Sequence, residues 1–159
     1  MRVAAWVLLF VTICLGLLIG YSLYAAELRV TRPEARVVPA ADMLAQFQAL
    51  HRAVQERALL GRQFQQGPDD DPSAYVFHIY TVRLRNDGLI PAEWVRLDVE
   101  PGPGDVLQAE GESAGHLAAL SSGDMQLLVL AQHGATTARR LTLTYFVWGR
   151  AYSIPIDVR

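Results

Sequence analysis

The sequence has one cysteine, one asparagine and no lysine, and these absences narrow what the chain can do. A single thiol, Cys14, excludes an intramolecular disulfide and any metal site built from several cysteines. The 14 basic residues are all arginine and stand against 16 acidic ones, which leaves a net charge of −2 without a basic stripe. Such a chain has no concentrated positive charge to neutralise a phosphate backbone, so we predict no nucleic-acid partner.

Motifs of catalysis are absent from the sequence as well. It contains no G-x-S-x-G turn, no glycine-rich phosphate loop and no H-E-x-x-H pair. Four histidines are scattered without metal-ligand spacing: His51, His78, His116 and His133. The aspartates at 69–71 are consecutive and precede a proline, which indicates a solvated helix stop rather than a calcium loop. We therefore predict no enzyme activity, no metal site and no cofactor.

Charge is missing from Val3 to Ala26, a run of 24 residues, and about 20 apolar residues suffice for a helix to cross the hydrocarbon layer. We predict that residues 1–26 form an uncleaved signal anchor, because a cleavable signal peptide has a shorter apolar region and small residues at its cleavage site. Leu23 and Tyr24 crowd the only candidate cleavage site. An anchor with a two-residue head normally inserts as an export signal. We expect a single-pass membrane protein with an extracytoplasmic C-terminal domain.

Two glycines inside this apolar run have the spacing G-x-x-x-G. Gly16 and Gly20 would lie on one face of the helix and would let a second helix approach closely. They are a candidate pairing surface for a second copy or for another membrane protein. Glycine is also common in membrane helices that do not pair.

The next 40 residues divide into a connector and a helix. Residues 27–38 have scattered charges and no clean period, which predicts an extended connector. One amphipathic helix is predicted over 39–66, with Pro39 in its first turn and Gly67 after its end. Its apolar stripe consists of Met43, Phe47, Leu50, Val54 and Ala58. Three coverings of this stripe are open: the chain's own β domain, a second copy in a coiled coil, or a different membrane protein.

From residue 73 onward the apolar period changes to two, which predicts strands separated by turn residues. A hairpin through Gly149 and Arg150 closes the series. The predicted strands are 74–85, 93–99, 106–109, a partial strand at 116–120, 125–131, 140–148 and 152–158. Six or seven short strands with no helix between them predict a mainly β fold. We expect a β-sandwich over 73–159, preceded by one transmembrane helix and one amphipathic helix.

The β region also resembles a known kind of module. The segment V-R-L-R-N-D-G-L-I-P-A-E-W-V-R-L-D-V-E-P at 82–101, the turn L-S-S-G-D at 120–124 and the closing hairpin are similar to bacterial Ig-like modules of the CARDB and NPCBM-associated kind. The resemblance covers roughly the last 85 residues and lies at the level of the fold. It implies a seven-stranded Ig-like sandwich displayed outside the membrane and used for adhesion, spacing or protein contact, with no catalytic residues.

Three aromatic residues are the candidate binding residues. If the apolar positions face inward, Trp94, Phe146 and Trp148 point outward on two strands that pair antiparallel in an Ig-like sandwich. Exposed aromatic clusters usually mark contacts. Two coverings are open, namely the 39–66 helix through Phe47 and its neighbours, or another molecule.

We weigh two functions on these grounds. The leading hypothesis is an anchored, non-catalytic module that contacts another membrane or envelope protein, in an assembly or accessory role. The alternative is a receptor domain that binds a glycan or another polymer through its aromatic residues.

Overall fold

The computed structural model describes residues 2–24, 28–110 and 115–158. In these residues an apolar helix, α1 (Arg2–Tyr24), precedes nine strands and a second helix, α2 (Leu44–Gln55). The strands are β1 (Arg29–Pro39), β2 (Gly61–Gln63), β3 (Tyr75–Arg85), β4 (Ala92–Val99), β5 (Asp105–Glu110), β6 (His116–Leu117), β7 (Ser122–Gln132), β8 (Arg139–Val147) and β9 (Arg150–Val158). Short 3-10 turns occur at Ala40–Met43 and Pro72–Ala74.

The strands form two antiparallel sheets. One sheet has the order β1-β3-β7-β5-β2 and the other has the order β6-β4-β8-β9. Each predicted strand is present, with ends that differ from the prediction by up to three residues. The prediction of a mainly β sandwich preceded by an apolar helix and a second helix is therefore confirmed.

The main core lies between the two sheets and is built by strand alternation. Alternate residues of β3, β7 and β8, and of β4 from Val95 onward, point inward, because successive side chains on a strand face opposite sides. The buried inward residues include Tyr80, Val82, Leu84, Val95, Leu97, Val99, Leu127, Val129, Leu141, Leu143 and Tyr145. Full burial of one such aliphatic side chain contributes about 1.5–3 kcal/mol, so this layer dominates the stability of the fold.

A second apolar layer covers the outer face of the five-stranded sheet. Phe47 of α2 is buried there, and its ring centroid lies 5.8 Å from that of Tyr75. Leu50 and Val54 pack in the same cluster. The apolar stripe of the helix is thus covered by the chain's own β domain, the first of the three coverings. The covering of Trp94, Phe146 and Trp148 by this helix is wrong, because these residues belong to the four-stranded sheet.

The predicted extent of the amphipathic helix, 39–66, is also wrong. The helix ends at Gln55, and Arg57 then adopts a positive φ of 56°. Residues 61–63 instead form β2, paired with β5. Gly61 makes this approach possible, because a Cβ there would lie 2.0 Å from the backbone oxygen of Gln108. Tertiary pairing has overridden the helix propensity of residues 56–66.

The connector predicted at 27–38 is a strand over most of its length. β1 pairs with β3 from Arg29 to Pro39, with a register shift between Thr31 and Pro33. A proline is tolerated here because β1 is an edge strand, which needs hydrogen bonds on one side only. The proline and the charges describe an edge strand rather than an unstructured connector.

The first helix, α1, has the length and composition of a membrane-spanning helix. Its segment Val3–Tyr21 has a mean hydropathy of 2.6. Both a membrane anchor and a signal sequence have this property. Its exposed side chains include Trp6 and Phe10. A Cβ at Gly16 or Gly20 would meet no atom of the described residues within 4 Å, so their helix-pairing role stays a prediction.

Candidate functional site

Trp94 stands outside the regular pattern of β4. The pairing of β4 with β8 shifts register between Glu93 and Arg96, which marks a β-bulge at Trp94 and Val95. Trp94 has a positive φ of 52° and is 76% exposed. A left-handed backbone costs about 1–2 kcal/mol for a residue with a side chain. The fold therefore holds a large apolar ring in water at a position where glycine is usual in a bulge.

Trp148 occupies a second position of this kind. Val147 pairs with Arg150, so Trp148 and Gly149 are the two central residues of the hairpin turn between β8 and β9. Both have positive φ, 53° and 71°, which defines a type I′ turn. Asn-Gly is the preferred sequence for such a turn, yet the first position carries a tryptophan that is 60% exposed.

A groove of about 950 Å³ runs beside Trp94. It lies between β4 and the part of β7 that extends past its pairing with β5 at Leu127. Phe146 pairs with Glu93 and lines the groove together with Trp94, so β4 and β8 bring these two predicted residues to one site. Arg96, Asp98, Met125 and Leu127 also line it. Trp148 is not among the described residues that line the groove, so the predicted three-residue patch divides into a groove pair and a hairpin tip.

The groove follows the open edge of β4. Among the described residues, β4 pairs with β6 only at Ala92 and Glu93. Further along, Gln108 of β5 closes the edge: its amide nitrogen donates to the Leu97 carbonyl at 3.3 Å, and its oxygen accepts from the Val99 N–H at 3.1 Å. In the part of the chain that the structure describes, the edge of β4 is thus unpaired at Trp94, Val95 and Arg96.

The end of the sandwich where the strands β5 and β8 begin holds buried polar groups. Arg139 donates to both carboxylate oxygens of Asp105, at 2.8 and 2.7 Å, and these hydrogen bonds raise the pKa of Arg139. Burial raises the pKa of Tyr80 to about 12, and its hydroxyl donates to Thr137 O at 2.9 Å. His78 is 1% exposed, and neither of its ring nitrogens has a partner among the described residues. Burial, reinforced by the charge of Arg139, lowers the pKa of His78.

The side chains of this polar cluster are buried: Asp105 is 0% exposed, His78 1% and Arg139 6%. The ion pair between Asp105 and Arg139 joins β5 of one sheet to β8 of the other, and it therefore holds the two sheets together. In the described ranges no group of three histidine, cysteine or acidic side chains could hold a metal ion. Of the three aspartates at 69–71, Asp71 accepts from the Ser73 N–H at 2.9 Å and caps the turn Pro72–Ala74.

Sequence reasoning overlooked two exposed leucines. Leu120 is 69% exposed with a positive φ of 53°, and Leu89 is 46% exposed. Both lie in connections between strands, where an apolar residue has no core to face. A leucine directly before S-S-G at 121–123, and another directly after N-D-G at 86–88, are signals that could have found them.

Comparisons with known protein families and with curated proteins do not identify a relative of this chain. No model of a known protein family matches the chain. A search of curated proteins finds no match either. The class defined by the fold is a two-sheet β-sandwich that follows an apolar helix long enough to cross a membrane.

Proposed function

We propose that the chain is a membrane-anchored, non-catalytic module that contacts another membrane or envelope protein. α1 is the anchor, and the sandwich lies on the extracytoplasmic side. The partner binds at the groove beside Trp94 and Phe146. The strand order supports an Ig-like module: β1-β3-β7-β5 and β4-β8-β9 correspond to the ABED and CFG sheets of a constant-type Ig domain.

The observation that carries the proposal is the conformation of Trp94. A strained backbone that presents a 76% exposed tryptophan opposes stability twice, through the positive φ and through the unburied ring. Residues held this way are concentrated at ligand clamps and binding sites. Tryptophan is also enriched among the residues that dominate binding energy in protein interfaces.

The difference between the two outer faces of the sandwich also supports the groove as the site of the partner. α2 and the turn at 40–43 cover the outer face of the five-stranded sheet, and Ala40 and Phe47 are buried there. No described helix covers the outer face of the four-stranded sheet, where Phe146 is only half-buried. The described helix α2 therefore leaves Phe146 and the groove beside it accessible to a partner.

Site-specific photo-cross-linking tests the contact. A photoreactive phenylalanine analogue is placed at Trp94 or at Phe146 in the full chain, in native membranes, with Arg140 as the control position. Arg140 is exposed on β8, the strand of Phe146, at its opposite end. We expect one discrete adduct from the first two positions and none from Arg140. Equal adducts at all three positions, or none at any, would contradict the proposed site.

The orientation is tested separately by protease added to intact cells. We expect cleavage of the chain at residues after α1 and protection of its amino terminus. Protection of the C-terminal domain until the membrane is opened would place the sandwich on the cytoplasmic side and would refute the extracytoplasmic assignment.

A glycan or other polymer is the second candidate ligand. The groove favours it, because an aromatic ring beside the charged groups of Arg96 and Asp98 is an arrangement that suits sugar recognition. Binding of purified envelope polysaccharide that is lost in Trp94→Ala and retained in Arg140→Ala would support this function. The cross-linked adduct would then be carbohydrate rather than protein.

A further inference from the structure

Among the residues that the structure describes, three large exposed apolar side chains lie in the loops and the turn at the end of the sandwich where the chain enters it. Arg29 at the start of β1 pairs with Arg85, and Arg85 pairs with Ser122. The connections 86–91 and 118–121 therefore lie at the same end as Leu28. Glu93 at the start of β4 pairs with Phe146 near the end of β8, which places the hairpin turn 148–149 at this end as well. We call it the entry end, and its exposed apolar residues are Leu89, Leu120 and Trp148.

Two of these three side chains are held at a conformational cost. Leu120 and Trp148 both have a positive φ of 53°. Asparagine or glycine would relieve the strain and would also suit water, so the stability of the domain alone does not account for leucine and tryptophan. An apolar environment outside the domain would account for these two residues.

The loops that carry the two leucines are fixed together. The side chain of Asn86 donates to Ile90 O at 2.9 Å and to Ala118 O at 3.1 Å, and its oxygen accepts from the Gly88 N–H. The Leu120 N–H donates to Gly88 O at 3.1 Å. Asn86 itself is 2% exposed. The apolar tips thus project from a rigid base, which lowers the entropy lost when they bind.

The length of the chain between α1 and the sandwich limits how far the entry end can lie from a membrane. α1 ends at Tyr24, and Leu28 is already buried, with its N–H donating to the Tyr145 hydroxyl at 3.0 Å. Four residue steps span at most about 14 Å even when fully extended. The headgroup layer on one side of a bilayer is roughly 5–7 Å thick, so a helix that spans the membrane brings the entry end to its surface.

We infer that Leu89, Leu120 and Trp148 insert into the interfacial layer of the membrane that α1 crosses. This inference rests on the proposed anchoring role of α1. Tryptophan favours the headgroup level because its ring is apolar and its N–H is polar. The arginines Arg29, Arg85 and Arg150 lie at the same end, and Asp87 is shared by the first two. Their charges suit lipid phosphates.

If these side chains insert, the sandwich rests directly on the membrane surface and is not held at a distance by a flexible linker. We call this contact of the entry end with the lipid the seat. The sandwich stands on its entry end, and the groove beside Trp94 extends from the hairpin turn at that end, where Gly149 lines it, along the side of the domain. A partner that reaches this groove must itself approach along the membrane, which agrees with a membrane or envelope protein as the partner.

Tryptophan fluorescence in vesicles tests the seat. Three variants of the full chain each retain one tryptophan, Trp6, Trp94 or Trp148, with phenylalanine at the other two. Each is reconstituted in phosphatidylcholine and phosphatidylglycerol vesicles whose acyl chains are brominated near the headgroup or are unbrominated. We expect bromine to quench Trp148 and Trp6 and to leave Trp94 with most of its emission.

The same experiment separates the inference from the proposed anchor. Quenching of Trp6 with unquenched, water-like emission from Trp148 would overturn the seat and retain the anchor. No quenching of Trp6 would overturn the anchor and the seat together. Blue-shifted emission from Trp148 without bromine quenching would indicate a second copy of the chain over the tip, and this too would overturn the lipid seat.

A matched pair of substitutions completes the test in the chain that retains only Trp148. Leu120→Asn removes a neighbouring apolar tip and suits the positive φ, so we expect weaker quenching of Trp148. Leu60→Asn removes a side chain that is 77% exposed beside β2, away from the entry end. It should leave the quenching unchanged, and equal losses in both variants would refute the assignment.

Discussion

The two ends of the sandwich use unlike residues for unlike purposes. At the entry end, leucine and tryptophan point outward from strained turns. At the opposite end, where β5 and β8 begin, Asp105, Arg139 and His78 point inward and are almost fully buried. One end directs apolar groups out of the domain, and the other end withdraws charged groups from water. Ordinary folding disfavours both choices, so each indicates a specific task.

The tasks differ in what the residues contact. Asp105 and Arg139 contact each other and join the two sheets, so their contribution is to the fold. Leu120 and Trp148 are exposed and fill no core, and the proposed contribution of both is to a contact outside the domain. If this distinction is right, substitutions at the opposite end will lower stability, and substitutions at the entry tips will lower binding while stability is kept or raised.

The largest effect is expected from breaking the buried ion pair. Asp105→Ala leaves the Arg139 guanidinium without its carboxylate in an interior site, and we expect a loss of about 3–5 kcal/mol in the free energy of unfolding. Denaturant unfolding of the full chain in detergent micelles measures it. Asp157→Ala is the control: Asp157 pairs with Arg140 on the surface at 3.1 Å, and its loss should cost less than about 1 kcal/mol. Similar losses in both variants would contradict the structural role of the buried pair.

The second largest effect concerns the base of the entry end. Asn86→Ala removes the amide that holds the connections 86–91 and 118–121 together and leaves buried carbonyl groups unpaired, so we expect a loss of about 2–3 kcal/mol. Ser121→Ala removes one exposed hydrogen bond to Ala118 and should cost less than about 1 kcal/mol. Unfolding of the two variants under the same conditions gives the comparison. A loss for Asn86→Ala no greater than for the serine variant would show that the loops are not fixed by this side chain.

The sequence predicted the sandwich because its inward residues alternate strictly. Val95, Leu97 and Val99 on β4, like Leu141 and Leu143 on β8, alternate with polar or exposed neighbours, and that period is local information. The exposure of Trp94 followed from the same alternation. Its left-handed backbone did not, because a bulge depends on the register of the partner strand and has no period of its own.

The parts that were predicted wrongly depend on contacts between distant residues. β2 depends on the pairing of Gly61 with Ala109 in β5 and on its close approach to the Gln108 carbonyl, and the sequence around Gly61 gives no alternation long enough to show this. β1 was hidden by Pro33, which an edge strand tolerates. The entry end could not be predicted either, since its three connections are far apart in the sequence and meet only after both sheets form.

The pH dependence of stability tests the role of the buried His78 at the opposite end. Burial lowers the pKa of His78 below its ordinary value of 6.5, so the unfolded chain binds the proton more readily than the folded one. The free energy of unfolding should therefore fall as the pH drops below about 6.5, by at most about 1.4 kcal/mol per pH unit for one proton. His78→Leu should flatten this dependence between roughly pH 7.5 and 5.5, above the range in which most carboxylates titrate. The charged neighbours Arg139 and Asp105 remain in both chains, so an unchanged slope in the variant would mean that another group is responsible.

The smallest expected change is an increase in the free energy of unfolding, whereas the other substitutions of native contacts lower it. A gain in stability at the entry end would therefore distinguish it clearly from the opposite end. Trp148→Asn places Asn-Gly in the type I′ turn, so the free energy of unfolding should rise by about 0.5–1 kcal/mol. Trp148→Phe keeps a ring and the strain, and its stability should stay within about 0.5 kcal/mol of the parent. If the asparagine variant is more stable, the fold does not need the ring at position 148, which agrees with a role of Trp148 in a contact outside the domain. A destabilised asparagine variant would mean that the ring packs on the domain, and the difference between the two ends would then be one of degree only.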